Sequence, residues 1–525
     1  MNVELFLLVI SLLFFASIFT DKLSSRLGVP ALLLFLGVGM LFGEDGLGIQ
    51  FENIQLAQAF STVSLCVILF EGGLGTKFQQ IHPVMKEGVV LATVGVLLTC
   101  LISGGLIYVI LRLTNVSRGV SIAGALLIAA TMSSTDAASV FSILRTKGIS
   151  LKHNLRPILE LESGSNDPMA YILTSTLIGI LTSEKSISWF FVGFSIIWQV
   201  AVGIGVGFLF GQFIVWLMRK VKISNESLYP LLILTACIFI FSATWLLGGN
   251  SFLAVYIGGL VIGNSKFAHK RHSLNFFDGI SWLCQLSMFL ILGLLVTPHN
   301  LEEAVVPGLI ISVVMIFVAR PLAVFLSFIP FKQYGWRDKT FLSWVGLKGA
   351  VPIILGIQCI AAEVPSATFL FHVAFFCTIV SLLLQGGTID FLARKLDLDL
   401  PPEQTIDPSH FDIDLPEEIL SQAVEMEVTD NMASQEGTKL MDISLPVGSL
   451  VMLIRRADKY LVPKGHTLVR PGDYLLVITE DRSAIVQSEQ HLAWQLEFID
   501  NPYTFFLQKH AELKEYTQNK NRKKI

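Results

Sequence analysis

The sequence predicts an α-helical polytopic membrane protein that carries a small α+β cytoplasmic domain. Three observations support this fold class: a high apolar content, an uneven distribution of charge, and a series of apolar segments of membrane-spanning length. Hydrophobic residues make up 53% of the 525 residues and charged residues only 15%, whereas a soluble globular chain has about 25% charged residues. Most of the chain is therefore predicted to lie in a lipid bilayer.

Charge separates the first 400 residues from the remainder. Residues 1–400 contain 45 charged side chains (11%), and residues 401–525 contain 33 (26%). The first region is too poor in charge to be soluble, and the second has the composition of an ordinary soluble domain. The predicted divisions are a membrane domain (1–395), a linker (396–420), a regulatory domain (421–490) and a C-terminal tail (491–525). Within the tail, residues 495–525 are expected to be solvated and to form a helix that frays towards its basic end.

Composition argues against several functional classes. A net charge of −4 without a basic face does not suit a nucleic-acid partner. The six cysteines lie in apolar stretches without a Cys-x-x-Cys pair, which argues against a disulfide scaffold, a zinc site or an iron–sulfur protein. An intramembrane enzyme would need a Ser/His or His/Glu pair at suitable spacing in mid-span, and none is present. We therefore expect neither a cofactor nor an enzyme.

Thirteen segments approach the roughly 20 apolar residues of a membrane span. In chain order they are about 3–20, 28–43, 56–73, 88–111, 119–144, 157–182, 188–218, 228–248, 251–265, 276–297, 303–330, 340–361 and 366–392. With the N-terminus outside, the cytoplasmic loops carry 17 Lys and Arg and the opposite loops three, which the positive-inside rule favours. Thirteen spans also divide into two six-helix halves of inverted topology around a linker helix, as in many secondary transporters.

The fifth and twelfth spans, at matching positions in the two halves, are both interrupted. The fifth carries Thr135 and Asp136 in mid-span, and the twelfth carries Lys348 between two glycines, followed by Pro352. Interrupted spans at corresponding positions point to the substrate site of a transporter. The alternative is that Asp136 caps a helix and Pro352 kinks one.

The sixth span contains three carboxylates in Glu-Leu-Glu-Ser-Gly-Ser-Asn-Asp-Pro (160–168). Ser163 and Asp167 share a helical face because they are four residues apart. Without a basic neighbour in sequence, Asp167 would be neutral when protonated or would hold a monovalent cation when ionised. A capped helix start before Pro168 is the alternative.

Arg320 and Glu71 are further charges near or within predicted spans. An intramembrane Arg requires an acidic partner, and Glu162 is the candidate, which would leave Asp167 free to exchange ligands. The alternative is that Arg320 extends to the membrane interface. Glu71 is predicted to be either a second oxygen ligand or an interfacial acid.

Four motifs in chain order resemble the NhaP/NHE branch of monovalent cation/proton antiporters. They are Phe-Glu-Gly-Gly-Leu (70–74), Ser-Thr-Asp-Ala-Ala-Ser (134–139), Ser-Gly-Ser-Asn-Asp-Pro (163–168) and Gly-Leu-Lys-Gly-Ala-Val-Pro (346–352). The resemblance covers residues 1–395. It implies an NhaA/NhaP-like homodimer with a dimerisation domain and a core domain, in which the fifth and twelfth spans unwind and cross.

The resemblance also implies roles for individual residues. Asp167 would bind the cation and the proton, with Asn166 as its paired residue. The other residues implied at the site are Ser163, Thr135, Asp136 and Glu71, with Glu162 and Arg320 as a structural ion pair and Lys348 as the charge at the crossing. Many family members carry Arg at the position of Lys348, and both residues supply positive charge.

The C-terminal region resembles the C-terminal half of an RCK (TrkA-C) regulatory domain, because short β-rich runs alternate with Pro-Gly turns. A Gly-x-Gly-x-x-Gly motif for the nucleotide-binding half is missing from the sequence. Such domains dimerise and can bind a small regulator, including cyclic di-AMP in some proteins. No residue here identifies the regulator.

Together the motifs imply an electroneutral antiporter of the bacterial inner membrane, which serves cation and pH homeostasis. K⁺ is favoured because potassium systems commonly carry RCK-like domains, and exchange of Na⁺ or Li⁺ is the alternative. An RCK-gated channel would need a selectivity filter such as Thr-Val-Gly-Tyr-Gly, which is missing from the sequence. The expected partners are membrane lipid, monovalent cations, protons and a second copy of the chain.

Overall fold

The computed structural model describes most of the chain as two compact units, Met1–Pro402 and Glu403–Ile525. The described residues of the first unit are 11–12, 14–15, 18 and 31–399, except 50–52, 114–119, 148, 150, 184–187, 222–224 and 297. Those of the second are 423–479, except 429–432, 435–436, 444, 446–447 and 457–458, together with 496–498.

From residue 31 onwards, fourteen helices can be labelled in the described part of the first unit. They are α1 (Ala31–Phe42), α2 (Ile54–Gly75), α3 (Phe78–Leu113), α4 (Ile122–Thr131), α5 (Ala137–Thr146), α6 (Leu155–Thr182), α7 (Trp189–Lys220), α8 (Leu228–Leu246), α9 (Ser251–Gly263), α10 (Lys270–Leu295), α11 (Glu302–Val314, continued by Met315–Ala319 and Arg320–Ser327), α12 (Trp336–Trp344), α13 (Val351–Ala361) and α14 (Ala367–Lys395). Both α3 and α11 contain a π-helical turn, at Leu91–Gly95 and Met315–Ala319. These turns lie in the fourth and eleventh predicted spans, which are corresponding positions of the two halves.

Seven of the described helices are long and apolar enough to cross a membrane, namely α2, α3, α7, α8, α10, α11 and α14. Four shorter apolar helices accompany them: α1, α4, α9 and α13. This confirms a helical, polytopic membrane protein. The first predicted span lies largely outside the described residues, so the count of thirteen stays a prediction.

The two predicted interruptions are present in the structure. Residues 132–136 separate α4 from α5, and residues 345–350 separate α12 from α13. In the sixth span, by contrast, α6 runs without interruption through Pro168. The alternative of a helix start before Pro168 is therefore wrong.

The helices of the first unit pack as two groups. The scaffold group comprises α1, α2 and α7–α10, and the broken-helix group comprises α3–α6 and α11–α14. Within the scaffold group, α2 packs closely on α9 because glycines face each other's backbone. An ideal Cβ on Gly73 would lie 2.4 Å from the Tyr256 carbonyl oxygen, and one on Gly259 would lie 2.4 Å from the Phe70 carbonyl oxygen.

The second unit contains an antiparallel sheet of five strands in the order β4-β3-β6-β1-β7, and a pair formed by β2 and β5. The strands are β1 (Ala423–Glu427), β2 (Thr438–Lys439), β3 (Ser449–Arg456), β4 (Lys459–Leu461), β5 (Leu468–Val469), β6 (Tyr474–Thr479) and β7 (Leu496–Phe498). β7 pairs with β1, so the expected C-terminal helix is wrong at residues 496–498. The remainder of that expected helix lies outside the described residues.

Candidate functional site

The two helix breaks meet at the centre of the broken-helix group. The Asp136 backbone N–H donates to the Leu347 carbonyl at 2.8 Å, and Lys348 Nζ donates to the Ser134 carbonyl at 2.9 Å. Gly349 makes this contact sterically feasible, since an ideal Cβ there would lie 2.8 Å from Asp136 Oδ2. Backbone groups of both breaks that lack a helical partner are thus hydrogen-bonded, two to each other and one to the Lys348 side chain. The predicted meeting of the fifth and twelfth spans is present.

Asp167 on α6 lies against the α4–α5 break and is half-buried. Its Oδ1 accepts a hydrogen bond from the hydroxyl of Ser134. The neighbouring Asn166 is fully buried, and its Nδ2 donates to Thr135 Oγ1 at 2.5 Å. The structure therefore brings Asp167, Asn166 and Thr135 together.

Ser163 and Asp136 are both engaged at the N-terminus of α5. The Ser163 hydroxyl donates to the Thr135 carbonyl at 3.0 Å and accepts from the Ala137 N–H at 3.1 Å. Asp136 accepts from the Ser139 N–H at 3.1 Å and from the Ser139 hydroxyl at 2.5 Å, which is the geometry of a helix cap. The structure therefore supports the capping alternative for Asp136.

Glu162 and Arg320 form a buried ion pair across α6 and α11. Glu162 is 1% exposed and Arg320 is 3% exposed, so Arg320 does not extend to an interface and that alternative is wrong. Gly346 in the α12–α13 break leaves room for the guanidinium, since an ideal Cβ there would lie 2.8 Å from Arg320 Nε. A charge buried to this degree is costly unless it is paired.

A cavity of about 850 Å³ is lined by residues of both groups, and Asp167 is among them. Asp167, Ser163, Thr135, Asp136 and Glu71 all line it. Glu71 lies on the scaffold side, with the Ser281 hydroxyl 3.5 Å from its Oε2. Polar cavity-lining residues beyond the predicted site include Ser134, Tyr256, Asp278, Ser281 and Gln285. The lining therefore combines carboxylate and hydroxyl oxygens from both groups.

Ser134 is the most important residue that sequence reasoning missed. Its hydroxyl contacts Asp167, whereas the hydroxyl of the adjacent Ser133 donates to the Ala130 carbonyl at 2.7 Å. Both serines lie in the same polar stretch, but only Ser134 belongs to the motif at 134–139. The available signals were this motif and the presence of hydroxyl residues in mid-span.

Comparison with known proteins assigns the family. The sequence profile described as "Sodium/hydrogen exchanger, transmembrane" matches residues 10–395. The chain belongs to this family. It is a multi-pass cation/proton antiporter and not an enzyme, as the four motifs predict.

Several relatives match over most of the antiporter's length. The chain is 40% identical to "K(+)/H(+) antiporter NhaP" of Alkalimonas amylolytica, over 90% of this chain and 78% of the relative. It is 39% identical to "K(+)/H(+) antiporter NhaP2" of Shewanella sp. (strain ANA-3), over 92% and 82%. It is 26% identical to "Na(+)/H(+) antiporter 1" of Methanocaldococcus jannaschii, over 74% and 95%.

Solved structures share the fold of the antiporter. The sodium proton antiporter MjNhaP1 from Methanocaldococcus jannaschii at pH 8 superposes with a TM-score of 0.63 at 22% sequence identity. The match covers 73% of this chain and 99% of that one. At this identity the match supports the fold alone.

Proposed function

We propose that the antiporter exchanges K⁺ for H⁺ at Asp167, electroneutrally, across the bacterial inner membrane, and so serves cation and pH homeostasis. The observation that carries this proposal is the position of Asp167. Its carboxylate faces the cavity, and it is held by Ser134 from a segment where the helix is broken. Intramembrane carboxylates and broken helices are costly in lipid and mark transport sites.

One carboxylate explains competition between the two substrates. Asp167 binds either a proton or one K⁺, and both loaded states carry the same net charge. Exchange is then one for one, and an imposed membrane potential does not drive it. Because protons compete with K⁺ for the same oxygens, lowering the pH on the K⁺-binding side raises the K⁺ concentration that gives half-maximal exchange.

The other proposed cation ligands are Ser163, Thr135 and Glu71, which line the same cavity. Asn166 supports the site through Thr135, and the Glu162–Arg320 pair and Lys348 hold the broken helices in place. Asp136 caps α5 and so fixes the segment that carries Thr135. None of these supporting groups needs to exchange a proton during the cycle.

The choice of K⁺ rests on the relatives. Those named K⁺/H⁺ antiporters are about 40% identical over nine-tenths of this chain, whereas the one named a Na⁺/H⁺ antiporter is 26% identical over 74%. Exchange of Na⁺ or Li⁺ is the second candidate, because carboxylate and hydroxyl oxygens bind all three cations. The described residues of the second unit do not distinguish K⁺ from Na⁺ or Li⁺.

Proton flux in proteoliposomes tests the site and the cation together. We expect K⁺ gradients to drive proton movement more strongly than Na⁺ or Li⁺ gradients, and Asp167→Asn to abolish exchange of all three. Asp278→Asn is the matched control, since Asp278 is a cavity-lining carboxylate outside the proposed site. It should retain exchange. Normal exchange by Asp167→Asn would overturn the assignment, and a preference for Na⁺ would overturn the choice of K⁺.

We also propose a homodimer of thirteen-span subunits with the N-terminus outside and a cytoplasmic regulatory tail. The tail's antiparallel sheet and its sequence motifs support an RCK (TrkA-C)-like domain that binds a small regulator such as cyclic di-AMP. The same flux assay on a chain that ends at residue 402 tests this role. Loss of pH or ligand control with exchange retained supports regulation, and unchanged control would make the tail an assembly module.

A further inference from the structure

The scaffold helix α9 contacts α6 on both sides of Asp167. Before Asp167, the Tyr256 ring packs where α6 has a glycine, so that an ideal Cβ on Gly164 would lie 2.3 Å from Tyr256 Cε2. After Asp167, the Phe252 ring meets the Tyr171 ring edge-on, with centroids 4.9 Å apart. Between these two contacts lies a polar one, from Asn250 to α6.

Asn250 is fully buried and is held from three directions. Its backbone N–H donates to the Gln199 carbonyl of α7 at 2.9 Å, and its Oδ1 accepts from the Leu253 N–H at 2.9 Å, which caps α9. Its Nδ2 donates to the Pro168 carbonyl of α6 at 2.8 Å. Only one orientation of the amide satisfies both the cap and Pro168, so the scaffold group presents a fixed donor to α6.

This donor acts where α6 is locally weakened. Pro168 directly follows Asp167 and lacks a backbone N–H, so α6 loses the hydrogen bond that would otherwise reach the Gly164 carbonyl. The backbone around Asp167 is therefore less restrained by the helix itself. The amide of Asn250 supplies an additional restraint on this segment, at the carbonyl of the residue that follows Asp167.

We propose that Asn250 is a positioning residue for cation binding: it anchors the Asp167 segment of α6 to the scaffold group and so keeps the carboxylate at the Ser134 hydroxyl. The proposal rests on the proposed function of Asp167. Asn250 does not need to touch the cation, because it acts through the Pro168 peptide.

Two substitutions separate anchoring from capping, because Asn, Ser and Asp are comparable N-caps. Asn250→Ser keeps a capping oxygen and loses the donor that reaches Pro168. Asn250→Asp keeps the cap and places an acceptor against the Pro168 carbonyl. We expect the K⁺ concentration for half-maximal exchange to rise about tenfold for Asn250→Ser, which is the order of one lost buried hydrogen bond. A larger rise is expected for Asn250→Asp.

Asn53→Ser is the matched control, because Asn53 caps the scaffold helix α2 through the Leu56 N–H, a hydrogen bond that stays within its own helix. It should leave the K⁺ dependence unchanged. The melting temperature of each purified variant shows whether it is folded. The proposal predicts that the half-saturating K⁺ concentration rises from the wild type to Asn250→Ser and again to Asn250→Asp. The maximal rate should be less affected.

Two outcomes would overturn the proposal. If both Asn250 variants show the wild-type K⁺ dependence, Asn250 only caps α9. If they lower the maximal rate in parallel with the melting temperature and leave the K⁺ dependence unchanged, the role is purely structural. If Asp167→Asn is inactive, either outcome refutes only the anchoring role of Asn250. If Asp167→Asn is active, the proposed function itself is refuted.

Discussion

The scaffold group and the broken-helix group both depend on glycine, but for different physical reasons. In the scaffold group, Gly73 and Gly259 let two helix backbones touch, as small residues do in many membrane proteins. In the broken-helix group, Gly346 and Gly349 instead make room for the charged side chains of Arg320 and Asp136. The same residue type therefore serves close packing in one group and a polar crossing in the other.

The two groups also differ in the kind of polar side chain that they bury. In the broken-helix group, an ion pair and Lys348 are each less than 6% exposed, and each has a defined partner. In the scaffold group, the buried polar side chains that the structure describes are hydroxyls and Asn250. Both groups have buried apolar clusters, and the broken-helix group additionally contains a connected set of polar contacts. Substitutions in the two groups should therefore have different effects.

The largest effect among these tests is expected for Gly349→Ala. The added methyl would lie 2.8 Å from Asp136 Oδ2 and would push the two breaks apart. Overpacking of about 1–3 kcal/mol at the site corresponds to a loss of roughly tenfold to a hundredfold in exchange rate. Proteoliposome flux measures it. Gly105→Ala in α3 is the control, since no heavy atom lies within 4 Å of its ideal Cβ; equal rates for the two variants would contradict the crossing argument.

A smaller effect is expected for Ser134→Ala, which removes the hydroxyl that donates to Asp167. A hydrogen bond to a charged group is worth about 1.5–3 kcal/mol in stability. Only part of this free energy is lost from K⁺ binding, because the freed carboxylate oxygen of Asp167 can contact K⁺ directly. We therefore expect the half-saturating K⁺ concentration to rise by about tenfold or less. Ser133→Ala removes a hydroxyl that bonds only within its own turn and should leave K⁺ dependence unchanged. Identical behaviour of the two variants would remove Ser134 from the site.

The smallest effect on transport is expected for Gly259→Ala in the scaffold group. Its methyl would lie 2.4 Å from the Phe70 carbonyl oxygen and would force α9 away from α2. We expect a loss of about 1–3 kcal/mol of stability, seen as a lower melting temperature, with the K⁺ dependence of the folded protein retained. The control is Gly205→Ala, where the ideal Cβ meets no heavy atom within 4 Å. A changed K⁺ dependence at wild-type stability would show that the α2–α9 contact at Gly259, like Asn250, shapes the cation site.

Features that depend on local composition could be predicted from the sequence. Apolar runs indicated the spans, and the polar stretch at 130–136 and the Lys348 region indicated the two breaks, because lipid penalises charge and open backbone wherever they occur. The four motifs also identified the family and placed Asp167, Asn166 and Thr135 together. The first span and most of the C-terminal tail lie outside the described residues, so their predictions stand as predictions.

Other features depend on contacts between segments that are far apart in the chain. The choice of Ser134 over Ser133, the capping role of Asp136 and the burial of Arg320 against Glu162 all required the folded arrangement. Asn250 lies 82 residues from Pro168. In the sequence an Asn at this position indicates only a helix cap, so its contact with Pro168 could not be predicted. Hydropathy and charge determine whether a segment can lie in lipid. Which side chains contact each other depends on shape and hydrogen-bond geometry, and these are established only when the helices pack.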